Sequence, residues 1–436
     1  MKKLIITYAI LTIAFICGCV YLKSGRFNHP YPNIIEYLAM ILMLVFTLGT
    51  LIWRKRRKQK MIIGGVAILS LFATINAFNY FYEWHPIALK LPLSSSQSVK
   101  VSHMPYQWPT AKPVTLGYDS NEWKEYFQKL RNWERLRGLL VIQDDHLIVE
   151  KYFKGIQSTD AFNVHSVIKT ITSALTGIAI NQGKIASDDA LVSKFFPEYS
   201  ASFTAKPKQP KSKRLKVKHL LTMRGGFAGW DGYQTAKVSL IKEGINKQPG
   251  TFFKYYTGSS NILSAIITKT TQQSTKDFAQ KYLFDPLGIQ NAFWRNQSGY
   301  YCGGGESYYT PRDLARIGQL YLHQGKLGKR QIISADWVKK SLTNYTDSSK
   351  FFRKLGDYTE VGYGYNWWIL DYKGHTIYTA RGKGGQYLML LPEKNAIVVV
   401  FQEWNLKKKF KKENGLLCDL LAIIYGNKQE QLAVGR

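Results

Sequence analysis

Cysteine is scarce in this sequence, four among 436 residues, which is too few for a disulfide framework. Cys17 and Cys19 sit in an apolar N-terminal run, and the sequence alone leaves a bridge between Cys302 and Cys418 open. Neither of the latter two lies in a nucleophile or metal motif. There is no His-Glu-x-x-His, and the eight histidines are scattered without ligand spacing, so neither a metal nor another cofactor is expected. The run Cys302-Gly303-Gly304-Gly305 lacks the lysine and the strand–helix context of a phosphate loop and reads as a turn. Acidic side chains are also in short supply: 29 Asp and Glu stand against 60 Lys and Arg, a formal net charge of +31. Such a balance suits anionic surroundings such as lipid head groups, wall polymers or nucleic acid, and it equally suits a lysine-rich genome.

What the sequence does have decides among these. Leu4 to Leu22, Ile34 to Trp53 and Met61 to Phe81 are three apolar runs, each near the ~20 residues that cross a ~30 Å hydrocarbon core. They read as three transmembrane helices. The loop Arg54 to Lys60 is far more basic than the one holding Lys23, Arg26 and His29, so the N-terminus is expected in the cytoplasm and everything after Tyr82 outside it. A cleaved signal peptide, or a lipoprotein signal acylated at Cys19, is the other account of the first run. Residues 1–85 are then a membrane anchor, 86–120 a Pro- and Ser-containing extracytoplasmic linker, and 121–436 a globular domain. Nucleic acid is not expected as a partner. A basic run, Lys206, Lys208, Lys211, Lys213, Arg214, Lys216 and Lys218, reads as a solvated loop that could also hold an anionic polymer.

Within the domain, periodicity predicts a helix from Trp123 to Arg135. A hairpin of Leu139 to Gln143 and Leu147 to Phe153 should follow, turning at Asp144-Asp145. A helix from Ser166 to Asn181, with Ile171, Leu175 and Ile178 buried and Gly183 as its cap, comes next. Strands return in Thr376 to Tyr378, Tyr387 to Leu391 and Ala396 to Phe401, before a last helix near Leu416 to Tyr425. Strands at both ends with helices between them predict one antiparallel sheet closed by the two ends of the domain.

Ser166-Val167-Ile168-Lys169 carries the chemistry. A serine three residues before a lysine shares a helix face with it, so the Lys169 amine can reach the Ser166 hydroxyl and take its proton. Ser239-Leu240-Ile241-Lys242 repeats the spacing. Six further blocks follow Ser166 to Lys169 in order: Lys218 to Gly226, Pro249-Gly250-Thr251-Phe252-Phe253-Lys254-Tyr255, Asp285 to Gly288, Thr310 to Arg316, Gly362 to Trp368 and Gly382-Lys383-Gly384-Gly385-Gln386.

From about Phe162 to Trp404 this series resembles the serine β-lactamase and penicillin-binding-protein superfamily, in its class C-like branch. Tyr255-x-x-Gly258, Trp367-Trp368 and Gly384-Gly385-Gln386 look most like the 6-aminohexanoate-dimer hydrolase group within it. The resemblance implies an α/β (α+β) fold: a β-lactamase-like antiparallel sheet flanked by helices, with a helical subdomain, here preceded by the three membrane spans. It implies Ser166 as nucleophile, Lys169 as the adjacent amine and Tyr255 as the proton shuttle, with Tyr256 a rival by adjacency. Lys383 would hold a substrate carboxylate or tune the Lys169–Tyr255 balance, Gly384 and Gly385 would let the strand approach the substrate, and the Gln386 backbone N–H would join that of Ser166 in an oxyanion hole, the glutamine side chain being dispensable. Two departures stand out. Thr257 replaces the asparagine of many relatives, and no glutamate can be placed as a deacylating base. The expected function is therefore a membrane-anchored extracytoplasmic serine hydrolase that cleaves an ester or amide of a small molecule, peptide or envelope polymer. A penicillin-sensing receptor with little turnover and a non-catalytic binding module are the alternatives.

Overall fold

The computed structural model describes residues 98–101, 105–198, 215–228, 245–291, 293–297, 299–346, 354–355, 357–404 and 413–426. The chain divides into two units, Met1–Ile87 and Ala88–Arg436, and only the second contains described residues. The three expected spans therefore lie outside the described residues, as do Ser239, Cys17, Cys19 and the basic residues from Lys206 to Arg214. Among the described residues no helix is long and apolar enough to cross a membrane.

The hairpin forms as expected. Strand β1 (Leu136–Gln143) turns into β2 (His146–Tyr152) through Asp144 and Asp145, whose φ angles of 49° and 60° are those of the tight turn that matches strand twist. Ahead of it, α1 spans Ser120–Arg131 rather than Trp123 to Arg135. The Asp119 carboxylate accepts the Asn121 N–H at 2.7 Å and so starts the helix earlier. Asn132 and Trp133 close a turn back onto Lys129 and Leu130 and end it.

Five more strands complete the sheet: β3 (Tyr358–Tyr363), β4 (Trp368–Tyr372), β5 (His375–Gly382), β6 (Gln386–Leu391) and β7 (Ala396–Gln402). With a short edge at Lys354–Leu355, the order is edge–β3–β4–β5–β6–β7–β1–β2, antiparallel throughout. The β7–β1 pairing is the closure of the two chain ends that the sequence predicts. Alternation assigns the faces. Leu140 and Ile142 of β1 enter a core shared with α2 (Ile168–Asn181), α3 (Thr257–Thr271) and α4 (Pro311–Leu322), whereas Leu139 and Val141 face α1 and α5 (Glu413–Tyr425). The structure thus has the expected α/β architecture, an antiparallel sheet flanked by helices.

Part of the stretch expected as a linker is built into this unit. Val99–Lys100 pairs with Ala161 and Asp160, Thr110 bridges Leu147, and Trp108 is buried in the main core. Isolated apolar residues between prolines gave no periodic signal, yet a single buried tryptophan removes enough apolar surface to anchor a segment. Cys302 and Cys418 are not joined in a disulfide.

Candidate active site

Helix α2 is buried on every side, unlike the single stripe that the sequence suggests: Ile168 through Ala179 are all inside. Between 160 and 179 only Ser166 is partly exposed. It stands on a 3₁₀ turn, His165–Val167, that precedes the helix. His165 holds the left-handed φ of 48°, uncommon for a side chain with a Cβ and concentrated near functional sites. The Asn163 side chain accepts its N–H at 2.9 Å and pins that conformation. Burial, helped by Lys383 and Lys169, pushes the His165 imidazole down to about 4, so it is neutral at ordinary pH.

Lys169, 1% exposed, donates to three acceptors: Ser166 Oγ at 2.9 Å, Gly304 O at 2.7 Å and Thr257 Oγ1 at 3.3 Å. An amine buried without such partners would cost several kcal/mol. The same three contacts also suit the neutral amine, which would accept the Ser166 proton and donate its own two hydrogens to Gly304 and Thr257. Thr257, whose position predicted the loss of an orienting amide, thus supplies a hydroxyl to the same amine.

Tyr255 lies with its ring centroid 5.0 Å from Lys169 Nζ and is stacked on Trp368 at 5.4 Å. Tyr256 instead is buried and stacks on Phe227 at 4.9 Å. The block before it explains this register. Met223 O accepts the Lys254 N–H at 2.9 Å, Met223 Sδ accepts the Tyr256 N–H at 3.4 Å, and Arg224 O accepts that of Gly250. The Leu220 to Gly226 segment therefore holds the Pro249 to Tyr255 segment against α2. Asn366 ties the Gly362 to Trp368 block in, donating to Lys169 O at 3.0 Å and accepting at its backbone carbonyl from Thr170 Oγ1 at 3.1 Å.

The fourth element differs from the expectation in detail. Lys383, Gly384 and Gly385 form the turn between β5 and β6 rather than a strand. Both glycines have left-handed φ, 90° and 85°. The turn sits against the segment bearing Ser166, since a Cβ on Gly382 would lie 2.2 Å from Val164 O. Lys383 is exposed, its amine 4.4 Å from the Trp404 ring centroid.

Sequence reasoning missed Gly304. A main-chain carbonyl has no side-chain signature, and the glycines looked like a turn. Their smallness is required: a Cβ on Gly304 would lie 2.6 Å from Thr257 Cγ2 and 3.3 Å from Lys169 Nζ, while the Gly304 N–H is held by Asn261 Oδ1 at 3.0 Å. Gly304→Ala is expected to lower kcat/KM on an activated ester about 10²-fold, the scale of a ~1 Å misplacement. Thr257→Ser, which removes that Cγ2 and keeps the hydroxyl, should recover part of the loss in the double variant. An unchanged rate in Gly304→Ala would remove this carbonyl from the account. Lys216 and Lys218 of the basic run both pair with Asp189, at 2.6 and 2.9 Å. Among the described residues no group of His, Cys, Asp and Glu could hold a metal ion. Burial pushes the Cys302 thiol up to about 12, which disfavours the thiolate that a nucleophile needs.

Comparison with known proteins agrees with the fold. The beta-lactamase family model matches residues 127–417. The 6-aminohexanoate-dimer hydrolase of Paenarthrobacter ureafaciens is 22% identical over 286 residues, covering 61% of this chain and 72% of that protein. Among solved structures, a candidate 6-aminohexanoate-dimer hydrolase from Bacillus anthracis superposes with a TM-score of 0.59 at 17% identity, over 77% of this chain and 92% of that one. The D-amino acid amidase from Ochrobactrum anthropi SV3 gives a TM-score of 0.55 at 14% identity, over 71% and 100%.

Proposed function

This chain belongs to the beta-lactamase family and is a hydrolase of that family, and from that premise we propose that Ser166 forms an acyl-enzyme with an ester or amide substrate, outside the cytoplasm and tethered by the three apolar N-terminal runs. The observation that carries the catalytic part is the 2.9 Å contact of a fully buried lysine with the one partly exposed side chain of its segment. In the proposed sequence Lys169 takes the Ser166 proton as Oγ bonds the acyl carbon. Tyr255, over the Lys169 amine, passes a proton to the leaving oxygen or nitrogen. Water then attacks the ester, its proton moves back through Tyr255 and Lys169, and Ser166 is regenerated with release of the acid. The Ser166 and Gln386 backbone N–H groups receive the oxyanion in both steps.

The relatives' names favour amides of small molecules or short peptides as the substrate class. A hydrolysis screen of the soluble domain over D-alanyl esters, short peptides, amide oligomers and β-lactams tests this. Labelling with a fluorescent penicillin followed by chase separates turnover from the receptor alternative, in which the label persists. With Lys216 and Lys218 held by Asp189, the rest of the basic run, Lys206 to Arg214, remains as a candidate contact for an anionic polymer. For the tether, a reporter fused after Trp84 should be active only outside the cytoplasm. Cytoplasmic activity there would reverse the proposed orientation.

A further inference from the structure

The turn Lys383-Gly384-Gly385 has a buried fastening of hydrogen bonds. At the end of β7 the register with β1 slips between Phe401 and Gln402, a bulge of the kind that occurs beside active sites. The slip leaves Gln402 to bond elsewhere. Its backbone N–H donates to Gln386 Oε1 at 3.2 Å, and its carbonyl accepts from Gln386 Nε2 at 2.5 Å. Gln402 Nε2 in turn donates to Gly385 O at 3.1 Å. From the β1 side Arg135, buried at 6% exposure, donates through Nη2 to Gly384 O and through Nε to Glu403 O, both at 2.9 Å. The Glu403 N–H returns to Arg135 O at 2.8 Å.

Both glycine carbonyls of the turn thus accept from buried side chains of residues remote in sequence. A two-glycine turn left to itself samples many conformations. Hydrogen-bond donors stabilise an oxyanion only when they are fixed before the charge develops. We infer that Arg135, Gln402 and the side chain of Gln386 are positioning residues, a buckle that holds the Gly384–Gln386 backbone in its oxyanion-binding conformation. The Gln386 amide, expected to be dispensable, becomes part of the site through its two bonds to Gln402. The inference rests on the acyl-enzyme reading given above.

The test compares wild type with Gln402→Met, which is close in shape and lacks only the amide, and with Arg135→Lys, which keeps the charge but cannot bridge Gly384 O and Glu403 O. Steady-state rates on p-nitrophenyl acetate and the Kd of phenylboronic acid are measured. The boronic acid takes the serine oxygen as its fourth boron ligand and imitates the tetrahedral anion. In each variant kcat should fall about 10- to 100-fold, the boronate Kd should rise by a similar factor, and KM should stay within about threefold. The thermal midpoint and the fluorophosphonate-labelled site should be unchanged. A purely structural role would lower the midpoint and leave kcat and boronate binding, measured well below it, as in wild type; that result overturns the inference. Should Gln402→Met fail to fold, Gln386→Met and Arg135→Lys carry the same comparison. Wild-type protein that is not labelled at Ser166 would instead sink the acyl-enzyme reading itself.

Discussion

Ser166→Ala is expected to abolish both hydrolysis and covalent labelling while the fold persists, whereas Ser239→Ala should do neither. The loss should be on the order of 10⁶-fold, the scale at which serine nucleophiles are missed elsewhere. The structural reason for an intact fold is local. Ser166 is the one partly exposed residue between 160 and 179, and its 3₁₀ turn is held by the Asn163 bond to His165 and by the Val164–Ser307 backbone bond. None of these uses the hydroxyl. Circular dichroism and the thermal midpoint check the fold, and initial rates on an activated ester check the chemistry. Equal activity in the two proteins would end the nucleophile assignment.

The second large effect concerns Lys169 and Tyr255. Lys169→Ala and Tyr255→Phe should each reduce kcat/KM by about 10²- to 10⁴-fold, the range of general acid–base catalysis. The double variant should be little worse than the stronger single one, because groups acting as a relay lose their effect together. The motive is the contact of the Tyr255 ring with the amine that also meets Ser166. Tyr256→Phe should be mild on rate, since Tyr256 packs against Phe227 in the core. Rates of all four proteins on one ester decide the matter. A strong Tyr256 effect with a silent Tyr255 would shift the register by one residue, and fully multiplicative losses would separate the two groups.

Local signals carried much of this arrangement into the sequence. Asp144-Asp145 between two apolar runs marks the hairpin turn, and Ser166-x-x-Lys169 at the head of an apolar segment marks the pair that meets at 2.9 Å. The Pro249 to Tyr255 block pointed to Tyr255, whose ring centroid lies 5.0 Å from Lys169 Nζ. What escaped depends on residues far apart in the chain. Strands β3 and β4 pair only through the sheet, and their aromatic and glycine content looked like a motif rather than a ladder. Thr110 and Val99 are anchored by partners at 147 and 161, so their segment looked like a tether. Gly304 acts through its carbonyl, and Gln386 through a partner at 402 that a strand bulge makes available. In a lone sequence neither a backbone acceptor nor a bulge has a residue type of its own.

The fluorophosphonate adduct, located by peptide mass spectrometry on the purified domain, tests the central claim most directly. A single adduct on the peptide containing Ser166, formed at a rate that falls steeply in Lys169→Ala, is the predicted result. An adduct on another serine, or hydrolysis that continues undiminished with no adduct at Ser166, would contradict it.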